Sequence, residues 1–444
     1  MSDPRIGRRA VVGAGLIGGA WAAPAAAQAQ RGGAGARDLR PDETADASAA
    51  RGRALASAAA EGRELRLGPG IYRIGDVALP SGTRLVGTAG RTVLAGLGNG
   101  PVLRAASADR ISLEGLTLRG SPAAGPDTPL LLLTDIRDLD VSGLSCERGS
   151  GTGIRSERCG GRIAACRVSG CDTGIFTLDA TGLAITGNIV DDCADNGILV
   201  WRSAKGFDGT LVSGNRISRI RNRSGGSGEY GNGVNIFRAG SVVVSGNVIR
   251  DCTFSAVRNN AGENIQIAHN NCTRLGEVAI FVEFGFMGCV VSGNVVDRAS
   301  VGVSMTNYNE GGRLASCTGN MLRNLFRRPD ALTGVIGQGI GIAAEADATV
   351  TGNVVEAAEF VGIWIGYGPH QRDVLCSANV VRETPVGIAA SVAPGAGTAH
   401  ISGNLLSGCT KGGVVGFEWE KVQVADLARS AAYGNVTVAG NTVR

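Results

Sequence analysis

Residues 183–200, LAITGNIVDDCADNGILV, read as two short strands with alternating apolar positions, a turn at Gly187-Asn188, and Gly197 opening the second run. The same pattern returns at 242–257, 265–282, 291–305, 350–365 and 401–415. Taking the turn Asn as origin, it falls at Asn188, Asn215, Asn247, Asn270, Asn294, Asn320, Asn353, Asn379, Asn404 and Asn441, with Cys166 in the slot one repeat earlier, and most intervals are 22 to 27 residues. Three residues before it stand Ile185, Val212, Val244, Ile267, Val291, Cys317, Val350, Cys376, Ile401 and Val438. A second apolar slot is filled by Ile198, Val234, Val257, Ile280, Val303, Ile340, Ile363, Ile388 and Val414. A β-branched residue in the same place of every repeat is what stacked parallel strands require, since each side chain packs on its copies above and below. The chain is therefore read as all-β, a solenoid of parallel strands.

The Asn column has its own reason. At the ~4.8 Å strand spacing its amides can hydrogen-bond from rung to rung, as Asn ladders do in cross-β stacks. Asn188 through Asn404 are accordingly read as structural, not as ligands. The preceding Gly is expected in a backbone conformation closed to most other residues.

Seventy Gly in 444 residues, with 18% charged and 43% hydrophobic, describe many short strands and turns. The composition hardly shifts after about residue 60, which predicts one elongated domain. A net charge of +4 argues against a nucleic-acid groove. The 11 Cys are odd in number and lack paired spacing. Cys171, Cys193, Cys252 and Cys409 share one register position and Cys317 and Cys376 another, so they read as small core residues instead of a disulfide framework. Three scattered His make a metal site improbable, and no motif binds a cofactor.

At the N-terminus, Arg8-Arg9 precede an apolar small-residue run and the small-x-small stretch 25–29. Residues 1–29 resemble a twin-arginine export signal, with an ordinary secretory signal or an uncleaved anchor as the alternatives. No other stretch approaches the ~20 apolar residues of a membrane helix. Residues 30–45 are expected to be a flexible leader and the Ala-rich 46–63 a helix that caps the first open rung. Gly-Pro-Gly-x-Tyr at 68–72 and Leu-Pro-Ser-Gly-Thr-x-Leu-x-Gly at 79–87 resemble the N-terminal rungs of pectin-lyase-like right-handed β-helix proteins. With the export signal, the repeats resemble a family of twin-arginine-translocated, uncharacterised β-helix repeat proteins. The resemblance implies a single-stranded right-handed parallel β-helix over 64–444 and a periplasmic or secreted location. It brings no catalytic residues with it. Near the other end, 424–433 has a helical pattern and is expected to fold over the final rung as a helical cap.

Two repeats carry inserts, at roughly 220–231 and 325–337, leaving the same corner four rungs apart, and they predict the walls of a groove. Its expected floor is Asn235, Phe237, Arg258, Asn260, Phe281, Glu283, Ser304 and Thr306, with Trp201 just beyond one wall. Aromatic faces beside Arg, Asn and Glu suit a sugar chain, which offers CH faces for stacking and hydroxyls for hydrogen bonds. Trp201, Asn235, Phe237, Arg238, Asn260, Phe281, Tyr230 and Tyr308 are the expected substrate contacts. Glu283, read as the only carboxylate of the floor, and Arg258 are the catalytic candidates, with Glu229 and Glu310 as available second carboxylates for hydrolysis. An elimination on a uronate would draw on Arg258, Arg238, Tyr230, Tyr308 or His370. The adjacent Asp191-Asp192 resemble a polygalacturonase pair, but Asp192 stands in a variable turn slot and that family's Gly-His-Gly and Arg-Ile-Lys elements are absent. The expected function is binding or processing of a polysaccharide or envelope glycan, as a lyase, hydrolase or epimerase if an enzyme. The competing class is a structural or adhesive solenoid that contacts another protein.

Overall fold

The computed structural model describes residues 41–328 and 338–444. The expected signal with Arg8 and Arg9, residues 30–40 of the leader, and 329–337 of the second insert lie outside the described residues.

Each repeat of alternating apolar residues becomes one rung, and parallel strands stack rung upon rung. Among the described residues, one face is a 16-stranded parallel sheet running from Asp42–Asp46 to Thr442–Val443. The register is the one that the repeat dictates: Ile185 lies beside Val212, then Val244, Ile267, Val291, Cys317, Val350, Cys376 and Ile401. The second inner column runs Ile198, Val234, Val257, Ile280, Val303, Ile342, Ile363, Ile388 and Val414. Ile340, expected in that column, stands two residues earlier and pairs with Val301 in an outward column. Val-x-Val and Ile-x-Ile sequences offer two equivalent registers, and rung stacking selects the one that seats Gly341. A Cβ there would sit 2.3 Å from the Gly362 carbonyl oxygen and 2.5 Å from the Val355 side chain.

Every turn amide is committed. Asn188 Nδ2 donates to Asn215 Oδ1 at 3.0 Å, Asn215 Nδ2 to Asn247 Oδ1 at 2.9 Å, and so on to Asn404 and Asn441 at 2.8 Å. The same Oδ1 accepts the backbone N–H of the preceding rung's Asn, and Nδ2 reaches back to a carbonyl of that rung, as Asn215 does to Ile185 at 3.0 Å. Cys166 keeps only the backbone part, donating its N–H to Asn188 Oδ1 at 2.9 Å. Before the Asn, the chain is left-handed, with φ near +64° at Gly187 and Gly293 at +62°. Ala165, His269 and Ala378 take the same conformation at +53° to +57°, at a cost of about 1 kcal/mol each, which the ladder on either side over-determines.

At the N-terminal end the helix spans Ser48–Ala60 and places Leu55 and Ala58 in the core. Asp42–Asp46, read from sequence mainly as leader, forms a strand parallel to Gly70–Ile74. The C-terminal cap departs from the expected helix: Lys421–Val424 returns antiparallel to Gly412–Glu418, and only a 3-10 turn, Leu427–Arg429, follows. Asp426 caps that turn by accepting from Ala428 N, and Leu427 is buried against the core. The edge of Gly412–Glu418 is thus covered by Lys421–Val424, just ahead of the expected helix, and 425–435 carries no helix beyond the single 3-10 turn. All eleven Cys are free and ten are buried. Burial pushes the thiols up, to about 12 at Cys272, Cys289 and Cys376.

Replacing Asn294 with Ala would strand the amides of Asn270 and Asn320 and the Ile267 carbonyl, at about 1–3 kcal/mol per buried group. Urea unfolding should show a loss of at least about 3 kcal/mol for Asn294→Ala, and under about 1 kcal/mol for Asn441→Ala at the solvent-accessible end of the ladder. Leu427→Asp should expose the C-terminal rungs, seen in light scattering as association of a chain whose circular dichroism is unchanged.

Candidate functional site

The outward strand positions change character along the solenoid. At the head of the second strand of successive rungs stand Asn196, Asn232 and Ser255, then Val278, Val301, Ile340, Val361 and Val386. All of them are buried, and from Val278 onward they are apolar, forming a second apolar cluster outside the helix with Trp364, Ala389, Val415 and Phe417. Phe360, Trp364, Tyr367, Phe417 and Trp419 interlock there, with ring centroids 5.0–6.4 Å apart. Beside this cluster opens a cavity of about 510 Å³.

Three carboxylates line it among the described residues. Glu283 closes the strand Val278–Glu283 and is 3% exposed. It is paired with Arg258 and accepts from Asn260 Nδ2 at 3.4 Å. Arg258 lies over the Phe281 ring at 5.1 Å, and its Nη1 has no hydrogen-bond partner. The first insert closes on this guanidinium: Gly228, at φ +144°, could carry no Cβ, which would fall on Arg258 Nη1. Glu277 is 2% exposed with Oε2 unpartnered. Glu345 accepts from Tyr308 N–H at 2.7 Å through Oε2. Tyr308 is itself fixed by Arg372, which stacks on its ring at 4.6 Å and donates to its hydroxyl at 2.7 Å.

The electrostatics follow from burial. Desolvation raises Glu277, against partial relief from Arg258 and Arg328. It raises Glu283 too, against the Arg258 hydrogen bond. Glu345 has only the backbone N–H groups of Tyr308 and Asn307 in opposition, and burial carries it from 4.5 to about 7.

Of the sequence candidates, Arg258, Phe281, Glu283, Ser304, Thr306 and His370 meet at this cavity, and the first insert contributes Ser227. Asn260 stands one step back, on Glu283. Trp201, Asn235, Phe237, Arg238 and Tyr230 do not line it, and Tyr308 supports it from behind. Trp201 instead joins Phe176 and Phe237 in an aromatic row at 5.4 and 5.6 Å, with Arg238 over Phe237 at 4.6 Å. Glu283 is not the only carboxylate, and the second ones are Glu277 and Glu345, not the exposed Glu229 and Glu310. Asp192 stands in a left-handed corner slot, φ +55°, that Arg219, Asp251 and Arg274 share, and it pairs with Arg221 on the surface. Among the described residues no His, Cys, Asp and Glu group of three could hold a metal, and no helix is long and apolar enough to cross a membrane.

Residues 152–318 match the family model described as a right handed beta helix region. The fold is a right-handed parallel β-helix. No curated protein matches the sequence. Among solved structures, the chain is similar to the catalytic unit of an alpha-1,3-glucanase from Streptomyces thermodiastaticus at 14% identity and TM-score 0.46, covering 91% of this chain and 67% of that one. It is similar to pre-mature gene product 12 of bacteriophage phi29 at 12% identity and TM-score 0.48, covering 83% and 65%. For the A-module of a mannuronan C-5 epimerase from Azotobacter vinelandii the values are 15%, 0.47, 92% and 98%. The β-helix thus spans about two thirds of the length of the first two.

The Glu345 environment sets a pH dependence. Its carboxyl titrates at 4.5 when unfolded and about 7 when folded, so between these the native state holds the proton more tightly. The stability it allows is full below about pH 4.5 and is lost as pH rises through about 7, by roughly 3 kcal/mol in all. Glu277 and Glu283 are shifted in the same sense. Glu345→Gln should therefore be more stable than the native chain at about pH 8 and near it at about pH 4, as measured by urea unfolding at the two pH values.

Proposed function

We propose that this chain binds a polysaccharide in the cavity between the Arg258 and Trp364 rungs. The observation that carries this reading is the pairing of aromatic rings with buried, incompletely bonded polar groups around one 510 Å³ space. Trp364, Tyr367 and Trp419 offer ring faces and edges, while Arg258 Nη1 and Glu277 Oε2 offer one unused donor and one unused acceptor. A sugar ring presents apolar CH patches and hydroxyls that both donate and accept, so it meets both demands at once. The row of Phe176, Trp201 and Phe237 lies farther along the same outward columns and would extend the contact to neighbouring sugars. Arg8-Arg9 and the apolar run behind them support export through the twin-arginine route to the periplasm or beyond, where envelope and extracellular glycans are met.

A second reading, an adhesive solenoid, draws on a different surface. The outward position after the turn Asn is apolar and exposed at Val248, Val295, Met321, Val354 and Leu405, by 37% to 52%. Such a stripe suits a protein partner.

Trp419 is 45% exposed, so removing it spares the core. On a glycan array, Trp419→Ala should bind about tenfold more weakly than the native chain, the size of a lost stacking contact. Absence of any glycan signal from both, with both folded, would favour the second reading.

A further inference from the structure

Arg258, Phe281, Ser304, Ala343 and Trp364 occupy one outward column in register. Two residues farther along each strand is the next outward column, which therefore runs Asn260, Glu283, Thr306, Glu345 and Gly366. Backbone bonds confirm the continuation: Thr306 N–H donates to Val282 at 3.1 Å, Glu345 N–H to Met305 at 3.2 Å, and Gly366 N–H to Ala344 at 2.8 Å. Glu283 and Glu345 thus project to the same side, two rungs apart, with only Thr306 between them. Two strand spacings put their backbones about 10 Å apart. Beyond Glu345 the column holds Gly366, which lines the cavity with it and is backed by Gln371, whose Cβ lies 2.6 Å from where a Cβ of residue 366 would sit.

We infer that Glu283 and Glu345 form the acid–base pair of an inverting glycoside hydrolase acting on an uncharged glycan chain. This rests on the glycan-binding reading of the same cavity. Inverting enzymes keep their two carboxyl groups about 6.5–9.5 Å apart, leaving space for a water, whereas a retaining pair needs about 5 Å. A two-rung gap approaches the first and is too wide for the second. The surroundings divide the roles. Glu283 is held as the partner of the Arg258 guanidinium, so it is the carboxylate, while Glu345 meets no cation within hydrogen-bond reach among the described residues and is the protonated acid. In the step, the Glu283 carboxylate takes a proton from water as the water oxygen bonds to the anomeric carbon. The glycosidic C–O bond breaks, and Glu345 gives its proton to the departing oxygen. The pair is restored by proton exchange with solvent. An uncharged chain follows from the lining: with Glu345 protonated, Glu283 holds Arg258 and Glu277 faces Arg258 and Arg328, so among the described residues no Arg or Lys of the lining is left over to neutralise a uronate carboxylate.

The test offers the full chain soluble neutral glucans, xylans and mannans, beside alginate and polygalacturonate, and measures binding and reducing-end release together. Release from a neutral polymer, with the product's first-formed anomer inverted by NMR, is the expected result. Glu345→Gln should cut that rate by at least about 10³-fold, yet recover most of it on the 2,4-dinitrophenyl glycoside of the released oligosaccharide, whose leaving group needs no proton. A merely structural Glu345 would not give that recovery. Because Glu283→Gln could unfold the protein by stranding Arg258, the Arg258→Gln/Glu283→Gln pair is made beside it, and it should bind the polymer without cutting it. Binding of a neutral polymer with no release, retention of anomeric configuration, or unsaturated uronate products would overturn the inference while leaving glycan binding intact. Binding to none of the polymers would overturn both.

Discussion

The stacking of one asparagine amide on the next governs this molecule. Each turn of the solenoid buries a backbone corner whose N–H and carbonyl groups have no strand to bond, and a buried unpaired amide costs as much as the hydrogen bond it lacks. The Asn side chain answers on both sides of the rung at once: Oδ1 takes two N–H groups from one neighbour and Nδ2 gives to both neighbours. That arrangement holds only if every rung places its turn at the same height, which locks the register of both inner apolar columns. Left-handed residues at the corner, including the unfavourable His269, are tolerated because the ladder leaves them no alternative.

With the inner columns locked, the outer ones are released from structural duty. Outward strand positions elsewhere are exposed or carry rung-to-rung ion pairs such as Arg274 with Asp251, which contribute little each in water. Between Arg258 and Phe417 they are instead sequestered. The first insert on one side, and the returning strand with Trp419 on the other, shut off part of the solenoid's flank, so that Val278, Val301 and Trp364 became wall residues and three carboxylates lost their water. The site's unusual proton affinity is a consequence of this enclosure: Glu345 is raised because neighbouring elements bury it and no cation compensates.

Some of the site was legible beforehand. Arg258 and Phe281 in one outward column and Glu283 in the next contrast with the plainer Ala343, Ala389 and Ser391 of later rungs, and the first insert marks the wall that Ser227 provides. The sequence also carries a second sign: Asn-Gly-Ile at 196–198 and Asn-Gly-Val at 232–234 give way to Val-Gly-Val at 301–303 and Val-Gly-Ile at 361–363. An apolar residue at an outward position has to be covered by something, and that switch marks where covering begins. Glu345 was missed for a plainer reason, since a two-residue slip at Ile340 moved it off the outward column.

Periodicity by itself determined that this chain is a solenoid of parallel strands with an asparagine spine and cysteines in the core, because a pattern that repeats with a fixed period is satisfied by stacking and by little else. It did not determine how the flank is enclosed. Whether 424–433 became a full helix or a single 3-10 turn, which aromatic rings met, and which carboxyls were dried were decided by loops from different rungs closing over one another. Those contacts join residues as far apart as Tyr308 and Arg372, or Tyr367 and Glu420, whose spacing along the chain follows no period.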